Sequence, residues 1–442
     1  MKKVLIITYY WPPAGGPGVQ RWLKFVKYLP EYGIEPVVFI PENANYPILD
    51  KDLVREVSQD LEVLKLPITE PYKWANYFSK KNTKSISSGI IRPEKKQRLT
   101  ERFLLYVRGN FFIPDARVGW VEPSITFLSE YLKNNTIETV ITTGPPHSLH
   151  LIGSQLKKTF KMQWIADFRD PWTTIGYHKK LKLTEKAASK HKTLESKVLN
   201  EADRILTTSY TTKKEFEQLT PKPITVITNG YDTDKNLKPS LDKKFSISHI
   251  GTILSDRNPR ILWKALKELV KENQQFRNDF QLKLVGNVSS EILETIKEFG
   301  LEKYVHTTGY VTHSEALKLQ RSSQMLLLLE IDSFETIGII PGKLFEYMAA
   351  ERPIIALGPE GSDIAKILTE TNTGKFFDYT EKESVKNYIS NSYDNYLRKT
   401  LNVFGIGLQY YSRKKLTEKL ANLIKENTQH KETNSDKYSQ RS

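Results

Sequence analysis

Buried-strand patterns and amphipathic-helix patterns alternate along almost the whole chain. The apolar run at residues 4–8 is followed by a glycine-rich loop, and apolar residues then recur at helical spacing from Val19 to Leu29. A second strand pattern lies at 36–40, and the same plan repeats from residue 139 and from residue 245. Because parallel strands need crossover helices, this alternation predicts an α/β fold of doubly wound parallel sheets with helices on both faces.

The strand patterns fall into two sets, which a polar stretch at residues 232–244 separates. A length of 442 residues is enough for two ordinary domains. Ligands bind outside the carboxyl ends of the strands in such sheets, so we expect the two domains to face one cleft. The predicted segments are an N-terminal domain over 1–235, a C-terminal domain over 245–405, a helix within 406–427 that packs back on the first domain, and a disordered polar tail over 428–442.

Composition excludes several classes of protein. The chain has no cysteine, which excludes disulfides, thiolate metal sites and a thiol nucleophile, and which fits a reducing cytoplasm. No stretch approaches the ~20 apolar residues of a membrane span. The first apolar run is too short for a signal peptide, so it is interpreted as a strand. We therefore expect a cytoplasmic protein.

Positive charge is concentrated in one segment. The net charge is +15, and residues 73–110 contain ten Lys and Arg against two acidic residues. One interpretation is a solvated basic insertion. The other is a surface for anionic lipid or a lipid-linked phosphate, at the inner face of the plasma membrane. Nucleic acid is not expected, because the basic residues are not interleaved with the aromatics of a single-strand binding surface.

A loop and short helix near residue 340 indicate the ligand class. The loop contains Gly338, Ile339, Ile340 and Lys343, and its backbone N–H groups together with the helix N-terminus can attract phosphate. Glu346 lies in the first turns of the helix, where a carboxylate has no packing role and can accept hydrogen bonds from ribose hydroxyls. These five residues are predicted to bind a nucleotide-linked substrate.

A second glycine-rich loop follows the first strand of the chain. Gly15, Gly16 and Gly18 permit close backbone approach to an anion or a sugar. Their spacing does not match the dinucleotide-binding pattern, and a plain turn is the alternative.

The first strand of the C-terminal domain is followed by Gly251 and Thr252, and then by Arg257 just before a helix. A guanidinium at that place is well suited to a diphosphate, and the alternative is a solvated loop arginine. We expect all three residues to bind a ligand that carries such a diphosphate.

Two polar residues of the N-terminal domain are candidate catalytic groups. His147 follows a Gly-Pro-Pro run and is expected to project from a loop, where a neutral imidazole can hydrogen-bond a sugar hydroxyl. Asp170 lies three residues after the end of the predicted strand 163–167 and can act as a base or bind acceptor hydroxyls. The alternatives are a capping histidine and a local Asp–Arg ion pair. Asp232 and Asp234 superficially match a metal motif, but no acidic or histidine cluster accompanies them, so no metal is expected.

Together these segments resemble the group 4-like (group 1) glycosyltransferases of the GT-B fold, which build bacterial surface polysaccharides. The resemblance covers residues 1–426. It implies that the glycine loop approaches the donor diphosphate and sugar, that Arg257 binds the diphosphate, and that Glu346 holds the ribose. The motifs that carry it are the loop at 15–18, the turn at 229–232, Gly251 with Arg257, and the run at 341–347.

The sequence departs from the family pattern at three positions. Arg257 stands where lysine is usual, and Thr252 replaces the usual arginine. The first carboxylate of the family's paired-glutamate motif falls on Gly338, unless Glu335 serves in its place. That carboxylate is expected to read the donor sugar, so the sugar is not predicted.

The resemblance implies a hexosyltransferase of the retaining type that needs no cofactor. It would move a sugar from a nucleotide diphosphate donor to a glycan or lipid-linked acceptor. Two alternatives stay open: a nucleotide-sugar epimerase with the same fold, and a non-catalytic nucleotide-sugar or glycan binder, which the absent carboxylate at 338 suggests.

Overall fold

The computed structural model describes residues 1–70, 99–232 and 239–439 of the chain. It divides into two compact units, the first formed by Met1–Thr228 with Arg413–Ser442 and the second by Asn229–Ser412. Of the basic segment predicted at 73–110, residues 73–98 lie outside the described residues and residues 99–110 are described.

The first unit is built on a seven-stranded parallel sheet with the strand order β3-β2-β1-β4-β5-β6-β7. In β1 (Lys2–Ile7), Val4 and Ile6 belong to one apolar cluster and Leu5 and Ile7 to another, so this strand is buried on both faces. This explains its unbroken apolar run. The strands are β1 Lys2–Ile7, β2 Ile34–Pro41, β3 Glu62–Leu66, β4 Thr139–Gly144, β5 Gln163–Phe168, β6 Arg204–Thr207 and β7 Ile224–Val226. The α-helices are α1 Pro17–Tyr28, α2 Leu99–Phe111, α3 Val121–Asn134, α4 Ser148–Phe160, α5 Gly176–Lys179, α6 Glu185–Glu201 and α7 Tyr210–Glu217.

The second unit contains a six-stranded parallel sheet with the order β10-β9-β8-β11-β12-β13. The strand Met325–Leu329 is wholly buried, because helices cover both faces of the sheet. The strands are β8 Phe245–Ile250, β9 Phe280–Val285, β10 Val305–Thr308, β11 Met325–Leu329, β12 Ile354–Leu357 and β13 Gly374–Phe377. The α-helices are α8 Arg260–Glu272, α9 Gln274–Asp279, α10 Ser290–Glu298, α11 His313–Ser322, α12 Gly342–Ala349, α13 Asp363–Thr371 and α14 Lys382–Leu397.

The last helix, α15, spans Arg413–Ser439 and returns to the first unit. Leu416, Leu420 and Ile424 join the apolar cluster that contains Trp22 of α1. The backbone of this helix continues as far as Ser439, and the disordered tail from residue 428 stays a prediction.

Parallel sheets of this kind have a switch point, where the chain leaves one side of the sheet and continues on the other. It lies between β1 and β4 in the first unit and between β8 and β11 in the second. Loops that follow these strands diverge and leave a crevice at the carboxyl ends, which is where ligands bind in doubly wound sheets. Among the described residues, no helix is long and apolar enough to cross a membrane.

Candidate functional site

A group of basic side chains lies at the switch point of the second sheet. Gly251 directly follows β8, has φ +133°, and donates its N–H to the Val285 carbonyl at 2.8 Å. A Cβ at this position would lie 2.7 Å from Lys343 Nζ. The positive φ is the reason that glycine is favoured here, and the short distance shows how closely the lysine ammonium approaches the backbone.

Lys343 lies in the first turn of α12 and packs against a neutral histidine. His249 Nδ1 is 2.9 Å from the Leu327 carbonyl, which can only accept, so Nδ1 carries the ring proton. Its Nε2 is 3.3 Å from Lys343 Nζ and can accept from the ammonium. Burial, followed by the charge of Arg257, lowers the pKa of Lys343 to about 8.

The position of Lys343 has no stabilising role in the helix. The N-terminal end of a helix is electropositive, so a cation in the first turn is unfavourable there. The first turn of α12 contains no acidic residue. A partly desolvated lysine at a helix N-terminus instead fits an anionic ligand.

Arg257 ends the 3-10 turn Ser255–Arg257 before α8, and its guanidinium reaches the same place. Its Nη2 lies 3.5 Å from Oε2 of Glu330, which is the first residue after β11. The Glu330 side chain is only 3% exposed, while that of Arg257 is 25% exposed. Burial raises the pKa of Glu330, and the charges of Arg257 and Lys343 oppose that rise.

Sequence reasoning missed Glu330. The signal was present, because a single carboxylate ends an otherwise apolar run of methionine and leucines at the carboxyl end of a strand. Glu335, the proposed substitute for the missing family carboxylate, is exposed on the 3-10 turn Phe334–Thr336. The buried carboxylate beside Arg257, the residue predicted to bind the diphosphate, is therefore Glu330.

Glu346, the predicted ribose ligand, is on α12 and is hydrogen-bonded within the second unit. His313 Nε2 lies 3.0 Å from its Oε1, and Gln320 Nε2 donates to its Oε2 at 3.1 Å. The side chain is 19% exposed. Tyr347, the next residue, accepts the Ile250 N–H at 2.8 Å and so attaches α12 to the end of β8.

The loop before α12 supplies fewer free amides than the sequence predicts. The Ile339 N–H is donated to the Thr336 carbonyl at 2.9 Å, so this amide is hydrogen-bonded within the loop. The cause is the 3-10 turn, which the loop continues. Gly338 and Ile340 are half-buried, and Thr252 is exposed.

The glycine loop of the first unit has a partly structural role. The Gly15 N–H is donated to the Ile48 carbonyl at 3.0 Å, so this amide is used within the fold. Gly16, with φ +109°, precedes α1 as its N-cap residue. A Cβ on Gly18 would overlap the Arg169 guanidinium, so glycine is needed there for close packing.

Asp167, at the end of β5, is fully hydrogen-bonded. It accepts from Arg21 Nη2 at 2.9 Å, from Trp22 Nε1 at 2.9 Å and from Thr143 Oγ1 at 2.8 Å. Both Asp167 and Arg21 are buried. Asp167 thus forms its ion pair with Arg21 of α1.

A cavity of about 300 Å³ lies in the first unit and contains both predicted catalytic residues. His147 does not project from a loop as predicted, because its ring is buried and stacks on Trp172 with centroids 4.9 Å apart. Within the described part of the chain, neither of its ring nitrogens has a hydrogen-bond partner. Burial holds the pKa of His147 well below its usual value. Arg108, Asp115, His178, Leu181 and the prolines at 114, 145 and 146 are among the other lining residues.

Asp170 lines the same cavity, and burial raises the pKa of its carboxyl although Arg169 opposes the shift. The polar side chains of Asp170, Asp115 and Arg108 together with the apolar part of the wall suit a ligand rich in hydroxyl groups. His150, predicted to be structural, is buried with its Nδ1 2.8 Å from Thr142 Oγ1.

In the part of the chain that the structure describes, no group of three or more His, Asp or Glu could hold a metal ion. Asp232 is described, but Asp234 lies outside the described residues.

Two parallel-sheet domains with polar crevices at both switch points define a two-domain α/β protein of the glycosyltransferase fold class. Residues 244–395 match the family model described as glycosyl transferases group 1. The second unit therefore contains a group 1 glycosyltransferase domain, and the resemblance seen in the sequence is confirmed for it. No curated protein matches the chain.

Solved structures share the fold over nearly the whole chain. Anabaena HepE in complex with UDP and glucose has a TM-score of 0.60 at 13% identity, covering 96% of this chain and 100% of HepE. The lipopolysaccharide outer core galactosyltransferase WaaB has a TM-score of 0.58 at 13% identity, covering 96% and 99%. A putative UDP-N-acetylglucosamine 2-epimerase from Listeria monocytogenes has a TM-score of 0.56 at 12% identity, covering 97% and 98%. At these identities the likeness establishes the fold class and leaves the reaction open.

Proposed function

We propose that the protein transfers a sugar from a nucleotide diphosphate donor to a glycan or lipid-linked acceptor in the synthesis of a surface polysaccharide. The observation that carries the proposal is the pair of cations at the second switch point. Arg257 and Lys343 converge beside Gly251 and the N-terminus of α12, where an anion is the ligand that physical chemistry favours.

These residues have distinct roles in the proposed reaction. Arg257 and Lys343 bind the diphosphate and stabilise the negative charge that develops on it as the glycosidic bond to the donor breaks. Glu346 accepts ribose hydroxyls, and His313 orients its carboxylate. The nucleotide sugar is a substrate, and no cofactor takes part.

The acceptor is proposed to occupy the cavity of the first unit. Trp172, Ile175 and Leu181 give the cavity an apolar part of its wall, which suits the C–H groups of a sugar ring. The Asp170 carboxyl can exchange hydrogen bonds with hydroxyls, and a volume of about 300 Å³ suits one or two sugar rings. We infer hexosyl transfer with retention of configuration, as the family resemblance implies.

A membrane-facing surface is also proposed, because lipid-linked acceptors reside at a membrane. Helix α2 exposes Phe103 (66%), Tyr106 (40%) and Phe111 (71%), whose spacing places them on one side of the helix. Arg102 is exposed beside them, and eight further Lys and Arg precede the helix within 73–98. Aromatic side chains with flanking cations suit the interface of an anionic bilayer.

The membrane surface is tested by flotation with phosphatidylcholine vesicles, with and without phosphatidylglycerol. Wild-type protein should float with the anionic vesicles, and the Phe103→Ala/Phe111→Ala variant should not. Phe404→Ala is the matched control, because Phe404 is 77% exposed in the second unit. Equal flotation of all three proteins would contradict the assignment of this surface.

One observation favours an alternative, the likeness to a putative epimerase. Product analysis separates the two reactions. The protein is incubated with nucleotide sugars alone and then with a membrane extract that contains acceptors. A transferase releases nucleoside diphosphate in quantity only with the extract, whereas an epimerase converts the donor without it. Absence of turnover in both conditions, with nucleotide binding retained, would leave a non-catalytic binder.

A further inference from the structure

Glu330 is a buried charge whose hydrogen-bonding capacity is not used. Neither of its carboxylate oxygens has a hydrogen-bond partner among the described residues. Its contact with Arg257 is an ion pair at 3.5 Å, long for a direct hydrogen bond. Burial of an ionised carboxylate is expensive unless its oxygens are hydrogen-bonded, so an apolar residue would stabilise the end of β11 better.

The place of this carboxylate suggests why it is there. Without a ligand, Arg257 and Lys343 bring two positive charges into one partly desolvated crevice. The charge of Arg257 disfavours the protonated form of Lys343 and so lowers its pKa. Glu330 supplies the compensating negative charge. A diphosphate would supply the same charge and would lie against the same two cations.

We propose that Glu330 is a positioning residue of the donor site. It holds Arg257 and Lys343 while the site is empty, and it takes up one proton from solvent when the diphosphate of a nucleotide sugar replaces it as their counter-ion. This inference rests on the proposed function, because it requires that the site binds a nucleotide sugar. No bond other than the new O–H of the carboxyl is formed.

The surrounding charges favour this exchange. Arg257 and Lys343 are the cations that stabilise ionised Glu330, and both would turn to the diphosphate. Asp256, on the same turn as Arg257, already disfavours the ionised form, and an arriving anion acts in the same direction. The other titratable groups nearby are His249, which faces Lys343, and Tyr379, whose hydroxyl donates to the Glu330 backbone carbonyl at 2.6 Å.

The test is proton uptake during donor binding, measured on the wild-type protein by calorimetry. UDP-glucose and the other common nucleotide sugars serve as probes, because both phosphates of their diphosphate are esterified and do not titrate near neutrality. Titrations in buffers of different ionisation enthalpy give the number of protons taken up between about pH 5.5 and about pH 9. We expect uptake approaching one proton in the acidic-to-neutral part of the range. The affinity for the nucleotide sugar should then decrease by up to about tenfold for each unit by which the pH rises.

Variants separate Glu330 from Lys343, which also gains a proton on binding an anion but near pH 8. Glu330→Gln should abolish the uptake below neutrality and leave the uptake near pH 8. Glu335→Gln, the same chemical change on an exposed carboxylate five residues away, should leave both. Binding without proton uptake below neutrality in the wild type, or unchanged uptake in Glu330→Gln, would overturn the role of Glu330 alone. Failure of every nucleotide sugar to bind would overturn the proposed function as well.

Discussion

In each unit a buried carboxylate lies at the carboxyl end of a strand beside an arginine, but Asp167 and Glu330 have different surroundings. Asp167 receives hydrogen bonds from Arg21, Trp22 and Thr143 and has no exposure. Glu330 has an ion pair at 3.5 Å with a partly exposed arginine and no hydrogen bond to its oxygens within the described residues. A carboxylate with all its partners supports the fold, whereas one without them is available to a ligand site.

The largest effect on the free energy of unfolding is expected for Asp167, the carboxylate that is fully hydrogen-bonded. Asp167→Ala leaves the buried Arg21 guanidinium without its counter-charge, and breaking a buried pair in this way costs about 3–5 kcal/mol. The free energy of unfolding of the first unit, measured with denaturant, should fall by that amount. A loss below about 1 kcal/mol would mean that Asp167 is not the structural centre described here.

A large effect on binding is expected from the cation beside Glu330. Lys343→Met keeps the apolar stem but removes the charge, and a hydrogen bond to a charged group contributes about 1.5–3 kcal/mol. Donor affinity should therefore fall by about ten- to a hundredfold, with stability nearly unchanged. Calorimetry with a nucleotide sugar measures the first quantity and thermal unfolding the second. Unchanged affinity would remove Lys343 from the site.

The pH dependence of donor affinity gives a third test. The pKa of Lys343 is about 8 in the empty site, and an anion favours the protonated ammonium, so binding raises it. Affinity should be highest below pH 8 and should decrease by up to about tenfold per pH unit above it. In Lys343→Met this upper limb should be absent. A wild-type affinity that is flat between pH 7.5 and about pH 9 would contradict this assignment.

The smallest effect on the free energy of unfolding is expected for Glu330, the carboxylate whose oxygens accept no hydrogen bond from the described residues. Glu330→Gln should change the free energy of unfolding by less than about 1 kcal/mol at neutral pH, because no hydrogen bond is lost. Folding raises the pKa of Glu330, so the native state binds the proton more tightly and its stability declines as pH rises. The variant should lack that decline and become the more stable protein at high pH. A loss comparable to that of Asp167→Ala would remove the contrast between the two carboxylates.

Much of the fold could be predicted from local sequence patterns. Strand β12 is an apolar run between Pro353 and Gly358, and β1 ends in the apolar run at residues 4–7. Burial on both faces makes such runs easy to recognise. The edge strand β3 Glu62–Leu66 was missed, because it is half-exposed and contains a lysine. The short edge strand β13 was missed for a similar reason.

The site was predictable only in part. Gly251, Arg257 and Lys343 were found because a glycine turn and a pre-helical cation are local signals, and the structure brings them together. Glu330 and the partners of Glu346 could not be found in that way, since they depend on which side chains from distant elements meet. The burial of His147 against Trp172 is another long-range packing effect.

The central claim is that Arg257 binds the diphosphate of a nucleotide sugar. The most direct measurement is calorimetric binding of UDP, GDP, ADP and CDP to the wild type and to two arginine variants. Arg257→Ala should weaken binding of the preferred nucleotide at least about tenfold. Arg260→Ala, which removes an exposed arginine three residues along that pairs with Glu298, should bind like the wild type. Equal affinity of wild type and Arg257→Ala, or no binding of any nucleotide by the wild type, would contradict the account.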